Sequence, residues 1–311
     1  MSLAPIVLFV YNRLDHTTRV VHALLDNPLA EASELHIYSD APKDADALQK
    51  VSAVRNYIKS IKGFKHVHIH LREHNLGVDE NVILGVTEVI NNHGKAIVME
   101  DDLVTSPHFL QYMNDALDLY EKEEDVISIH GYVYPVTQQL KEVFFLKGAD
   151  CWGWATWKRG WDLFERNGGE LLAKIEEQGS QSEFDIDNTY PYVQALREQA
   201  TGKTTCWDIR WYASAFIMGK LTLYPGQSLV SNIGHDGSGT HCEANNSHDV
   251  LLASSPLNVR TPIQPDPEAY FAFADFLRKL YSGTPARKKN WLSKLFKQTK
   301  NRIRQTFHKQ D

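Results

Sequence analysis

The sequence predicts an α/β protein: a Rossmann-type, mostly parallel sheet flanked by helices, continuing into a mixed second half and a C-terminal amphipathic helix. Three observations predict it. Short β-rich runs alternate with longer helical patterns over roughly the first hundred residues. Each of those runs ends on polar residues, where open parallel sheets bind their ligands. After residue 103 the alternation gives way to aromatic and loop-rich sequence.

The elements follow in order. "PIVLFVY" (5–11) reads as a first core strand, and "HTTRVVHALLDNP" after it repeats Val20, Val21, Leu24 and Leu25 at helical spacing. "ELHIYSD" (34–40) precedes the helical "DALQKVSAVRNYIKSI", "HVHIHL" (66–71) precedes "DENVILGVTEVINNH", and "KAIVM" (95–99) closes the series. The strand ends are Asn12 and Arg13, Ser39 and Asp40, Arg72 to Asn75, and Glu100 to Asp102. His66, His68 and His70 alternate with apolar residues, so all three project from one strand face. Parallel projections do not give the varied directions of a coordination sphere, and an ordinary half-exposed face is expected there.

Ser106 then reads as an N-cap with Pro107 at the first helical position. "DVISIHGYVYP" and "EVFFL" read as strands. "CWGWATWKRGWDLF" (151–164) gathers four of the seven Trp between 152 and 161, which suits either a face for a planar group or sugar ring, or plain core filling. The expected organisation is a Rossmann-type half at 1–102, a mixed half of the same domain at 103–286, and a basic tail at 287–311.

Several function classes are disfavoured. No GxGxxG or GxxxxGK[ST] is present, so a dehydrogenase or P-loop enzyme would lack its phosphate cradle. The apolar runs are far shorter than the roughly 20 residues of a membrane span, and the N-terminal run lacks the basic lead of a signal peptide. Cys151, Cys206 and Cys242 form no CxxC pair, which points away from a disulfide framework and towards a reducing cytoplasm. The net charge of −6 conceals a +8 tail, in which nine Lys or Arg face one Asp, on a body of −14.

The most informative stretch is "KAIVMEDDLVTSPHF" (95–109), a buried-looking strand ending on three consecutive carboxylates. Hard oxygen ligands at a strand end suit a divalent cation that also meets a diphosphate. The bland alternative has one carboxylate in solvent and another capping the next helix. Together, "VLFVYNR", "IYSD", "REHNLG", "AIVMEDDLVTSPHFLQYMNDAL", "CWGWATW" and "CWDIRW" resemble the GT-A-type glycosyltransferases, in particular the N-acetylglucosaminyltransferase I family and its bacterial relatives, over roughly residues 4–245.

That resemblance implies a metal-dependent inverting transfer from a nucleotide sugar, usually a UDP sugar, with Mn²⁺ or Mg²⁺, in which residues 1–102 are the nucleotide-sugar-binding half and 103–286 the acceptor-binding half of one catalytic domain. It implies Asp102 as metal ligand, Asp101 on the ribose, Asp40 on the uracil and Arg13 on the phosphates. It also implies Asp208 as general base on the acceptor hydroxyl. Here the sequence departs from the family pattern, with Ile209 where a second acid tends to stand. A surface pairing of Asp208 with Arg210 or Lys203 is the competing reading.

"NIGHDGSGTHC" (232–242) is glycine-rich and is expected to be mobile over bound donor, with His235 and His241 as further metal or diphosphate contacts or simply polar loop residues. In the tail, Trp291, Leu292, Leu295, Phe296, Ile303 and Phe307 fall within an arc of roughly 160° on a helix, with Lys294, Lys297, Lys300 and Arg304 outside it. Such a helix suits an anionic membrane surface, or docking on its own body or a partner, better than nucleic acid, which the acidic body would repel. The expectation is a cytoplasmic, peripherally membrane-bound hexosyl- or N-acetylhexosaminyltransferase acting on a glycan or lipid-linked acceptor. A sugar-phosphate nucleotidyltransferase and a non-catalytic glycan-binding relative are the alternatives.

Overall fold

A computed structural model describes residues 2–236 and 246–282. The tail at 287–311, His241 and Cys242 therefore lie outside the described residues.

The predicted parallel unit is present. Strands β1 (Ile6–Val10), β2 (Glu34–Ser39), β3 (His66–Leu71) and β4 (Lys95–Glu100) run parallel in the order β3-β2-β1-β4. Helices α1 (Leu14–Leu25), α2 (Ala45–Ile58) and α3 (Gly77–His93) connect them. Asp44 caps α2 by accepting from the Ala47 N–H at 2.9 Å. Gly94 ends α3 in the left-handed conformation, with φ 77°.

Strand alternation sorts the core into two layers. Ile6, Leu8 and Val10 pack with Val20, Val21 and Leu24 of α1, while Val7 and Phe9 pack with Val82, Ile83 and Val86 of α3. Gly85 permits the close approach of α3, because a Cβ there would lie 2.7 Å from the Phe9 ring.

The second half comprises β5 (Leu103–Thr105), α4 (Phe109–Leu119), β6 (Val126–His130), β7 (Val143–Lys147) and β8 (Trp154–Trp157). The helices α5 (Lys158–Trp161), α6 (Gly168–Glu177), α7 (Gln181–Phe184), α8 (Tyr192–Ala200) and α9 (Trp207–Ile217) follow. β9 (Leu221–Pro225), β10 (Val230–Asn232) and α10 (Pro267–Ser282) complete it. One mixed eight-stranded sheet results, ordered β3-β2-β1-β4-β8-β6-β9-β7, with β5 and β10 as a separate antiparallel ribbon.

Three local expectations change. "WATW" is a strand, β8, inserted antiparallel between β4 and β6, so the sheet runs unbroken across the boundary at 102/103. Both its faces are covered, so it shows none of the polar alternation that marks a half-exposed strand. Trp154, Trp161, Trp207 and Trp211 pack ring against ring at 5.4 to 5.7 Å and are core, leaving Trp152 as the one partly exposed tryptophan of the run. Helix α4 begins at Phe109, and Ser106 instead caps the preceding turn by accepting from the His108 N–H at 3.0 Å.

The histidines of β3 are only partly an ordinary strand face. His36 of β2 stands opposite His68 in register and stacks on it at 4.4 Å. Burial, together with His68, His93 and His70, pushes His36 down to about 4, so its imidazole is neutral at physiological pH. Among the described residues no helix is long and apolar enough to cross a membrane, and Cys151 and Cys206 are free thiols.

The tryptophan cluster joins β8 to α5 and α9, and Trp154 at its centre is fully buried. Trp154→Ala should lower the unfolding free energy by about 4 kcal/mol with the urea m-value unchanged. A loss below about 1 kcal/mol in urea titration would show that the cluster collapses around the gap.

Candidate active site

The carboxyl ends of β1, β2 and β4 open on one side of the sheet, and Glu100 is level with Phe9 in register. After Glu100 the chain turns through Asp101 and Asp102 into β5, which β10 pairs, and the Ile233 N–H donates to the Asp102 carbonyl at 2.8 Å. The acidic triplet is thereby clamped between the main sheet and the small ribbon. Gly234 lies directly against Asp102, since a Cβ there would be 2.4 Å from Asp102 Oδ2.

Arg13, immediately before α1, supplies the compensating charge. Its Nη2 contacts both Asp101 Oδ1 and Asp102 Oδ2, the latter at 2.8 Å. Burial works against the guanidinium charge, but the two aspartates overcome it and raise its pKa further. Asp101 is 4% exposed and also accepts from the Tyr11 N–H at 3.4 Å. Burial holds its carboxyl above the ordinary range in spite of Arg13. Glu100 is driven higher still, by burial first and then by Asp102, Asp208 and Asp101.

Asp208 sits in the first turn of α9. Burial raises its pKa, with Asp150 adding to the rise, while N–H groups at the start of the helix, that of Ile209 first, act in the opposite direction. The Cys151 thiol, kept protonated by burial and by Asp208 and Asp150, lies 3.8 Å from Asp208 Oδ2 as donor. Neither surface pairing expected as the competing reading forms: Arg210 binds Asp79 at 2.5 Å, and Lys203 binds Glu198 at 2.7 Å. Asp208 and Asp150 line a cavity of about 440 Å³ with Tyr134, Tyr192, Tyr212 and Tyr224. Glu100 feels Asp208 electrostatically, and Cys151 feels Asp208, Asp150, Glu100 and Asp102, so one acidic constellation links the triplet to the cavity.

Asp40, at the end of β2, is nearly inaccessible. Its Oδ1 accepts from the Ala41 and Leu76 N–H groups, both at 2.9 Å. Its Oδ2 accepts from Asn75 Nδ2 at 3.1 Å and from the Gly77 N–H at 2.9 Å. The side chain thus ties the "NLG" turn to the sheet and neutralises the exposed donors at the start of α3.

His235 follows β10, edge-on to Trp152 at 5.4 Å and stacked on His248 at 4.9 Å. Both its ring nitrogens are buried without a hydrogen-bond partner. His241 lies outside the described residues. The structure therefore gathers Arg13, Asp101 and Asp102 closely, puts Asp208 within electrostatic reach of Glu100, and gives Asp40 a clamping geometry.

Sequence reasoning missed Asp150, Cys151 and His248. The first two directly precede "WGWATW", and a polar pair ahead of an aromatic run marks the mouth of a buried strand.

The three consecutive carboxylates do not converge into a three-ligand cluster; among the described residues the one group that does is Glu34, His36 and His93, away from the carboxyl ends of the strands. Arg13 already occupies one side of Asp102. The triplet thus fits a hard divalent cation held by one carboxylate, with water and a ligand's phosphates completing the shell, as Mg²⁺-type sites are built.

No protein-family profile matches the chain, and no curated protein matches it. Among solved structures it is similar to S. aureus TarS 1–349, at 11% identity and TM-score 0.42, covering 73% of this chain and 59% of that one. It is similar to a putative nucleotide-diphospho-sugar transferase from Desulfovibrio desulfuricans G20, at 16% identity and TM-score 0.34, covering 53% and 69%. It is also similar to the mannosyltransferase PcManGT of Pyrobaculum calidifontis, solved with GDP-Man and Mn²⁺, at 9% identity and TM-score 0.36, covering 69% of each.

Removing Arg13 would leave Asp101 and Asp102 without their countercharge. Arg13→Met should cost about 3 kcal/mol of stability, and millimolar Mn²⁺ should recover part of it by binding the folded state. If thermal melts show no greater loss than for the exposed Arg19→Met, the triplet relieves its charge by protonation instead.

Proposed function

We propose that the protein is a metal-dependent inverting glycosyltransferase that moves a sugar from a nucleotide sugar, a UDP sugar on the resemblance of its motifs, onto a hydroxyl of a glycan or lipid-linked acceptor. One observation carries the reading. A half-buried carboxyl of raised pKa, Asp208, lines a tyrosine-walled cavity and is electrostatically linked to an acidic strand end bridged by Arg13.

An inverting transfer needs these two poles facing each other. Asp208 takes the proton of the acceptor hydroxyl as its oxygen bonds to the anomeric carbon. The bond from that carbon to the diphosphate oxygen breaks on the opposite side, and the departing anion leaves towards Arg13. A divalent cation, Mn²⁺ or Mg²⁺, held by Asp102 would supply charge neutralisation for that anion. Asp101 orients Arg13 and in this reading reaches the ribose. Asp40 acts on the base side, chiefly by fixing the turn at Asn75–Gly77, because its acceptor positions are already used within the chain. Tyr134, Tyr192 and Tyr212 offer ring faces and hydroxyls to an acceptor sugar. In this reading His235, beside Trp152, and His241 contact the diphosphate or its cation.

Calorimetric titration of UDP with and without Mn²⁺ tests the donor pole. Binding should require the cation and vanish in Asp102→Ala, whereas Asp208→Asn should bind UDP as the wild type does while turnover falls roughly 10²–10⁴-fold. Since the base must be ionised and its pKa is raised, kcat/KM should begin to fall on the acid side above the ordinary carboxylate range. Absence of binding by UDP and by every other nucleoside diphosphate, with cation present, overturns the reading.

The basic amphipathic pattern of 287–311 supports peripheral attachment to an anionic membrane on the cytoplasmic side. Deleting those residues should abolish co-sedimentation with phosphatidylserine vesicles. Unchanged sedimentation would leave the stripe to a protein partner.

A further inference from the structure

A second ligand-capable centre lies at the other end of the sheet, where the proposed transfer chemistry has no use for it. In register, Glu100 is level with Tyr38, and Glu34 is four residues further back along β2, roughly 13 Å along the strand. There Glu34 and His36 of β2 meet His93 from the last turn of α3. One carboxylate oxygen and one ring nitrogen from each histidine lie within 4.8 Å of one another.

We propose that Glu34, His36 and His93 form a binding site for a late first-row divalent cation of the Zn²⁺ type, which staples β2 to the C-terminus of α3. His36 is 8% exposed, and its Nε2 is buried with no hydrogen-bond partner, while Nδ1 lies 3.4 Å from His70 Nε2. A buried imidazole nitrogen left open in this way lacks the partner that such groups normally have. A tetrahedral shell at 2.0–2.1 Å sets ligand atoms about 3.4 Å apart, so the three groups need only side-chain rotation to close on an ion.

Two imidazoles and a carboxylate are a borderline donor set, which selects Zn²⁺, Co²⁺ or Ni²⁺ over Mg²⁺ and Ca²⁺. The C-terminus of a 17-residue helix adds partial negative charge beside the site. Lys65 binds Glu34 Oε1 at 2.9 Å and leaves Oε2 facing His68 Nε2 at 3.8 Å, so His68 or water is the fourth ligand. The comb of His66, His68 and His70 is then a flank of the site, and the neighbouring strand and helix provide the missing directions.

This inference does not depend on the transfer reading. The experiment is equilibrium dialysis of Zn²⁺ against the untagged, chelator-stripped full chain, with excess Mg²⁺ occupying hard-oxygen sites. The wild type and Asp102→Ala should each retain one tight Zn²⁺. His93→Gln, on an exposed helix end, should weaken that binding at least 100-fold, and His36→Gln should do the same. Co²⁺ should give the intense visible absorption of a four-coordinate ion in the wild type, and that absorption should disappear in His93→Gln. Should His36→Gln fail to fold, His93→Gln decides the matter. Equal Zn²⁺ affinity in His93→Gln and the wild type, or loss of the ion in Asp102→Ala with retention in His93→Gln, overturns the proposal.

Discussion

The arrangement turns on Arg13 and the two aspartates that it bridges. Three carboxyl groups at the end of a buried strand repel one another and lose their hydration together, so the turn at 100–102 requires a countercharge or a proton. Arg13 supplies the first to Asp101 and Asp102, while burial and the neighbouring carboxylates raise the Glu100 pKa well above the ordinary range. Because Arg13 follows β1 and the aspartates follow β4, this one contact fixes the spacing of two adjacent strand ends. The β5–β10 ribbon then locks the far side of the turn.

Position in the second half comes from packing. Five tryptophans of the described chain are core, and four of them pack together beneath β8, α5 and α9. That cluster settles where α9 begins relative to β8, so the residues just before each element, Asp150 and Cys151 on one side and Asp208 in the first turn on the other, meet at one wall. The aromatic side chains thus serve the site by placing its carboxylates, while the tyrosines at the mouth line the cavity. Asp150 adds to the rise in the Asp208 pKa, while Ile209, next to Asp208 in the sequence, is packed into an apolar cluster.

Much of the first half was legible in the sequence, for a physical reason. In the four parallel strands and their helices the hydrophobic pattern repeats locally, and each run is bounded by polar ends, so β1 to β4 fall within a residue or two of the expected spans. Strand β8 was not legible as a strand. Four residues buried on both faces carry no alternation, and tryptophans at that spacing suit a binding face equally well. The pairing of Arg210 with Asp79 was likewise hidden, because its partner lies 131 residues away along the chain.

By itself the sequence determined the α/β class, the acidic strand end and the identity of Arg13, Asp40 and Asp208 as residues worth placing, since each follows from local pattern or motif. Only the tertiary structure decided which cation faces the triplet, that Asp40 is occupied in holding the Asn75–Gly77 turn, and that Trp152, alone of the tryptophans between 152 and 161, is half-buried and packs against His235. It also decided that His36 and His93 meet Glu34. Each of these depends on which strand or helix lies beside which, and that is set by packing between distant segments.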